Sequence, residues 1–189
     1  MEYRSDSVRR DRSHGYTLAM PSEPVRIIEA ASPEDVDAVR RLFGQYATSL
    51  GWDLTSGWIA EEMAGLPGPY APPAGSLLLA RVGDEEAGAL GLQTVPDAVR
   101  AQDVEVGRSG ELKRLFVRPE YRRHGVGRAL LERAESEART RGYDALLLTT
   151  NAEMMPLAQR LYETLGYTET GPYRTDMPWA GIRWMRKQL

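Results

Sequence analysis

Apolar positions recur along this chain at two spacings, and the switches between them outline its elements. Val25–Ala30 (VRIIEA) reads as a first strand. Ser32-Pro33-Glu34-Asp35 then marks a helix start, with Ser as N-cap, Pro at the first helical position and acids in the first turn. Val36, Val39, Leu42, Phe43 and Tyr46 share one face of that helix, which should run to about Leu50. A second short helix is expected near Trp58–Ala64, before the stretch LPGPYAPPAG breaks the pattern. Ser76–Val82 and Ala87–Val95 flank Gly83-Asp84-Glu85-Glu86, a hairpin signature. Pro96–Gly110 is polar and reads as a loop or insertion.

Glu111–Val117 is the next strand. A helix from Gly127 to about Arg141 places Leu130, Leu131, Ala134 and Ala138 together, and Gly142 supplies its stop. Asp144–Thr150 (DALLLTT) is apolar through Leu148, as a strand buried on both faces requires. Pro156–Leu165 reads as a helix with Leu157, Ala158, Leu161, Tyr162 and Leu165 inward, ended by Gly166. Thr168–Tyr173 and Gly181–Lys187 read as closing strands. This order predicts a mixed sheet with helices on its faces, an α/β or α+β sandwich. Residues 1–24 show neither period and are expected to form a flexible N-terminal tail, with 25–189 as a single domain.

Composition narrows the classes. A length of 189 residues, 42% hydrophobic and 27% charged, is ordinary for one soluble domain with an appendage. No apolar run approaches the roughly 18 residues that span a bilayer, and no signal-peptide h-region opens the chain. No membrane association is expected. Without cysteine there are no disulfides, thiolate metal sites or Cys nucleophile; a cytoplasmic location fits. The two histidines, His14 and His124, stand far apart, which argues against a His-rich metal site or a His-based triad, and no metal is expected. A net charge of −3 argues against a nucleic-acid binder.

Within that acidic chain, RLFVRPEYRRHGVGRALL (114–131) carries five arginines between Arg114 and Arg128 against one acid, Glu120. Its Arg122-x-x-Gly125-x-Gly127 loop opens directly into a helix, where unpaired N–H groups and the helix dipole favour an anion. A dinucleotide fingerprint is excluded, because the third glycine is missing and the preceding strand is not the first. A Walker loop is excluded by the lack of G-K-[ST]. A phosphate cradle remains, beside the plainer reading of a glycine turn next to solvated arginines.

A second motif follows by one helix, one buried strand and a turn: Leu161-Tyr162-Glu163-Thr164-Leu165-Gly166-Tyr167. R-x-x-G-x-G, a long helix, an apolar strand and LYETLGY together resemble the GNAT superfamily of acyl-CoA-dependent N-acetyltransferases, in its small-molecule branch. The resemblance covers roughly Val25 to Leu189 and is strongest from Glu111 to Tyr173. It implies a mostly antiparallel sheet of six or seven strands flanked by about four helices, with acetyl-CoA as co-substrate and the amine of a small molecule or amino-acid-like compound as acceptor. It also implies that the pantetheine arm of the cofactor pairs with the backbone of Leu115, Phe116 and Val117. The pyrophosphate is then expected on the amides of Arg123, His124, Gly125, Val126, Gly127 and Arg128, with Arg122 and Arg123 adding charge-assisted hydrogen bonds. His124 is expected there as a backbone contact.

Acyl transfer to an amine sets three requirements. The amine, with a pKa of about 10, must lose a proton; the developing oxyanion needs a donor; the departing thiolate, of pKa about 8.5, gains from an acid. The resemblance implies the backbone N–H of Leu115 as the donor and Tyr162 as the acid; a packed aromatic is the alternative for Tyr162. Glu111 and Lys113, two apart on a strand, should project together. Glu111 is then a candidate base and Lys113 a candidate for holding a substrate carboxylate; a solvated Glu–Lys pair is the plain alternative. Where many family members carry Asn seven residues before the tyrosine, this chain has Met155, and Asn151 is the candidate substitute. Met154 and Met155 either line the cleft or pack the helix start. Trp52, Trp58 and Tyr70 either form an acceptor wall or seal the core. Direct transfer is expected, since no cysteine can carry the acyl group. The alternative function is a non-catalytic acyl-CoA sensor of the same fold. A homodimer is compatible with the sequence and not decided by it.

Overall fold

The computed structural model describes residues 23–101, 107–177 and 180–189. The expected tail, apart from Glu23 and Pro24, lies outside the described residues. The elements run β1 (Val25–Glu29), α1 (Pro33–Ser49), α2 (Gly57–Ala64), β2 (Ser76–Val82), β3 (Glu85–Thr94), β4 (Ser109–Val117), α3 (Val126–Thr140), β5 (Ala145–Asn151), α4 (Pro156–Thr164), β6 (Thr168–Glu169) and β7 (Ile182–Gln188). One seven-stranded sheet results, in the order β1-β2-β3-β4-β5-β7-β6. Every neighbouring pair is antiparallel except β4 and β5, which are joined through α3 and run parallel. None of the described helices is long and apolar enough to cross a membrane.

Local chemistry accounts for the element ends. The Ser32 hydroxyl accepts the Asp35 N–H at 3.1 Å and caps α1 as its sequence requires. The sheet's alternating side chains then sort into two cores. Leu77, Leu79, Ala89 and Phe116 meet Val39, Leu42, Phe43 and Ile59 of α1 and α2. Leu78, Leu90, Leu92, Leu112, Leu146 and Leu148 meet Leu130, Leu131, Ala134 and Ala138 of α3 and Tyr162 of α4 on the other face. Full burial of each leucine contributes about 1.5–3 kcal/mol, so the sheet is held from both sides.

Two expectations need correction. Leu157 is 53% exposed, and Gln159 is buried instead. The inward face of α4 is centred on Ala158 and Tyr162, and Leu157 lies about 100° around the helix from Ala158. The strand expected over Thr168–Tyr173 is cut to Thr168–Glu169, with one further bond from the Thr170 N–H to the Trp184 carbonyl at 2.9 Å. Gly171 and Pro172 follow, Pro without an N–H to give, and the chain leaves the sheet so that Tyr173 enters the core.

The feature that positions the site is a fork in the sheet. Pairing of β4 with β5 ends at Leu112↔Leu148. Just beyond, β4 bulges: Arg114 and Leu115 together face Leu90, between the pairs Gly91↔Lys113 and Ala89↔Phe116. Arg114 takes up the bulge with φ +59°, a left-handed conformation that costs a non-glycine residue about 1–2 kcal/mol.

Candidate active site

The fork is bordered by an open helix end. α3 starts at Val126, and Gly125 before it has φ +80° and no side chain that caps the helix. The first main-chain bond back to this cap is from Ala129 N–H to Gly125 C=O at 2.9 Å. The amides of Val126, Gly127 and Arg128 therefore have no partner within the helix. A Cβ on Gly125 would meet nothing within 4 Å, so backbone conformation rather than crowding requires glycine there. Arg123 also has a positive φ, +65°, which helps curl the loop around this end. The His124 Nδ1 is buried in the loop without a partner among the described residues.

The arginines of this segment divide between tasks. Arg122 donates from Nε to the Val117 carbonyl at 3.0 Å and ties the loop to the end of β4. Arg118 is paired with Glu85 and Glu120, and Arg128 with Glu132. Arg123 is exposed. Arg114 leaves the loop altogether. Sequence proximity suggested one basic patch; the strand's alternation and the bulge send Arg114 to the α2 side of the sheet.

There Arg114 is clamped. Its Nε and Nη2 donate to the two Glu62 oxygens at 3.2 and 2.6 Å, and its guanidinium lies 5.3 and 4.8 Å from the Trp52 and Trp58 ring centres. Tyr70 completes the support. Its ring lies where a Cβ on Gly91 would sit, 2.5 Å away, and its hydroxyl donates to Glu62 at 2.5 Å. A glycine on β3 thus admits the tyrosine that aims the carboxylate that holds the bulge.

A cleft of about 330 Å³ opens at the fork, lined by Tyr46, Leu50, Trp52, Leu112, Lys113, Arg114, Thr149, Thr150, Asn151, Met154, Met155, Met177, Ala180 and Ile182. Trp52, Met154 and Met155 are therefore wall residues, while Tyr70 is buried beneath and Trp58 meets Trp52 edge-on behind it. Asn151 reaches the cleft, but its side-chain oxygen accepts the N–H groups of Glu153 and Met154 and shapes the turn into α4. Thr150 presents a buried hydroxyl that has no partner among the described residues.

Tyr46, read in the sequence only as part of a helix face, is a site residue that was missed. It lines the cleft, donates to the Met155 sulfur at 3.8 Å, and its pKa is raised by burial. Its position inside the periodic apolar face of α1 hid it. Tyr162 sits 7% exposed, edge-on to Tyr167 with ring centres 5.8 Å apart. Burial first, then the nearby Tyr46, pushes its pKa well above the usual phenol range. Burial keeps the phenol neutral, and like Glu111 it stands behind the residues that line the cleft.

Glu111 is placed differently from a base open to substrate. It is fully buried and is not part of the cleft wall. One oxygen accepts from the Tyr173 hydroxyl at 3.0 Å and faces Lys113 at 3.5 Å; the other accepts from Gln93 at 2.9 Å and Arg174 at 2.6 Å. With both oxygens engaged, the carboxylate anchors the segment Tyr173–Asp176 onto β4. The face shared with Lys113 is as the strand period required, and Lys113 is the member that reaches the cleft. Sequence could not reveal this, because Gln93, Tyr173 and Arg174 come from distant segments.

A cleft at a sheet fork beside an uncapped glycine-loop helix matches a known design. The model of the acetyltransferase (GNAT) family matches residues 39–167. The chain belongs to this family. A Schizosaccharomyces pombe protein described as an uncharacterized N-acetyltransferase is 32% identical over 172 residues, which are 90% of this chain and 98% of that one. Among solved structures, a GNAT-family acetyltransferase from Staphylococcus aureus aligns with TM-score 0.66 at 18% identity, over 87% of this chain and 99% of the other. The PaiA N-acetyltransferase of Thermoplasma acidophilum, solved with coenzyme A, aligns with TM-score 0.65 at 17% identity, over 88% and 99%. The seven-stranded sheet and four α-helices described above are thus the GNAT fold.

Proposed function

We propose that the protein is an acetyl-CoA-dependent N-acetyltransferase that acetylates the amine of a small molecule by direct transfer. The observation that carries this reading is the joining of two hydrogen-bonding surfaces: the amides of Val126, Gly127 and Arg128, which have no partner within their helix, and the edge of β4 from Lys113 to Phe116, beyond its last pair with β5 and before the Val117 carbonyl that Arg122 takes. A pyrophosphate fits the first and an extended amide chain the second. Acetyl-CoA supplies a thioester there.

The protein's own groups supply the rest. Leu115, the second residue of the bulge, offers its N–H to the carbonyl oxygen as charge develops. Tyr162, kept protonated by burial, donates to the leaving sulfur. The acceptor ammonium gives its first proton to water at the mouth of the cleft, where Met154 is 59% exposed; the second proton, lost from the nitrogen as the amide forms, restores Tyr162 after it has protonated the sulfur. Glu111 acts behind the wall by fixing the residues around it. A cysteine-free chain is suited to a reducing cytoplasm, where we place it.

The test is thiol release from acetyl-CoA across a panel of amines and amino acids, with calorimetry of CoA binding in parallel. Turnover of at least one amine, with N-acetyl product by mass spectrometry, is expected. Tight CoA binding with no turnover of any amine would instead mark an acyl-CoA sensor.

A further inference from the structure

The acceptor end of the cleft has a definite polarity. Among the described residues of its wall, Lys113 and Arg114 are the charged side chains, and no carboxylate lines it. Around them stand Leu50, Trp52, Met155, Met177 and Ile182. A bare alkylammonium entering here meets like charge and apolar surface.

The two cations are not equivalent. Arg114 has its fork on Glu62 and its face on two indoles. Lys113 is only 9% exposed, and among the described residues its hydrogen bond is the 3.5 Å contact to Glu111, at the outer limit for such a bond. An ammonium has three donors. Glu111 has closer donors in Arg174, Gln93 and Tyr173. Burial, opposed by Glu111 and reinforced by Arg114 and Arg174, pushes the Lys113 pKa below its ordinary value. A buried, under-coordinated ammonium in a cleft wall is stabilised by an arriving anion.

We propose that the acceptor is an amino acid with an apolar or aromatic side chain, and that Lys113 holds its carboxylate. This rests on the acetyl-transfer reading above. One carbon separates the carboxylate from the amine in such a molecule. Held on Lys113, one residue past the last β4–β5 pair, the nitrogen lies at the fork. The side chain then packs among Trp52, Met155 and Met177. Nothing in this assignment needs a carboxylate from the protein to receive the acceptor.

Matched acceptors provide the test. L-Phenylalanine, its methyl ester, phenethylamine and L-serine are compared by thiol release. Binding of N-acetyl-L-phenylalanine and N-phenethylacetamide to the CoA complex is measured by calorimetry. Phenylalanine should exceed its ester, phenethylamine and serine in kcat/KM, the first two by about tenfold to a hundredfold, the worth of one charge-assisted hydrogen bond. N-Acetyl-L-phenylalanine should bind better than the uncharged amide by a similar factor. In Lys113→Met, of similar length and with Glu111 still held by three donors, both preferences should collapse towards one, and Lys113→Arg should restore part of them. CoA affinity reports that each variant is folded.

Equal use of phenylalanine, ester and phenethylamine overturns the assignment while leaving acetyl transfer intact. So does a Lys113→Met variant that loses all acceptors in equal proportion, which would make Lys113 part of the chemistry. Lys113-dependent binding of the acetylated acid without turnover of any amine supports the carboxylate site and sinks the transfer reading instead.

Discussion

At the scale of single residues, burial decides what each polar group can do. Tyr162 is a phenol whose pKa is raised by its surroundings, so it stays protonated at every pH up to ten and beyond. Its acid role should therefore show no alkaline loss of kcat below about pH 10. Tyr162→Phe, which keeps the ring packing against Tyr167, should lower kcat by about a hundredfold or more, with CoA affinity little changed. Single-turnover rates with the best acceptor measure both. Glu111 makes the opposite case. Its carboxylate is enclosed by Gln93, Lys113, Tyr173 and Arg174. Glu111→Gln should cost about 3 kcal/mol of stability by denaturant titration, the usual cost of breaking a buried ion pair. It should raise the acceptor KM more than it lowers kcat. A kcat collapse at unchanged stability would return Glu111 to the role of base.

At the scale of elements, the bulge in β4 and the start of α3 hold the strained backbone and the unpaired amides on which the proposed transfer relies. The left-handed Arg114 persists because Glu62 on α2 holds it by two hydrogen bonds and Trp52 and Trp58 cover it. Glu62→Ala leaves this buried guanidinium without its anion and should destabilise the protein by about 3 kcal/mol. Because the bulge also aims the Leu115 N–H, kcat should fall beyond what the loss of folded protein explains; activity per folded molecule checks it. At α3, Gly125→Ala introduces no clash, only a side chain at φ +80°. The resulting shift of the loop should weaken CoA binding by about tenfold, from a strain of roughly 1–2 kcal/mol, read by calorimetry.

At the scale of the whole molecule, the fork joins two parts of one sheet, β1–β4 and β5–β7, whose shared pairing ends at Leu112 and Leu148. A ligand lying along the open edge of β4 and across the N-terminus of α3 braces both. Acetyl-CoA at a hundred times its Kd should add about 2.7 kcal/mol and raise Tm by about 5–10 °C. The Gly125→Ala variant should show a smaller rise at the same concentration.

Much of this was legible in the sequence. The Ser32 cap, the face Leu130-Leu131-Ala134-Ala138, the run DALLLTT and the glycine loop each act through neighbours within a few residues. Local order alone therefore set the element sequence, the expected donor end of the site and the family resemblance. Tertiary structure decided what depends on separate segments meeting: that Arg114 serves α2 rather than phosphate, that Tyr46 faces the cleft, that Glu111 lies behind the wall and Lys113 within it. Period and spacing fix which face a side chain occupies. They do not fix what stands opposite, and for a buried charge the opposing groups determine its role.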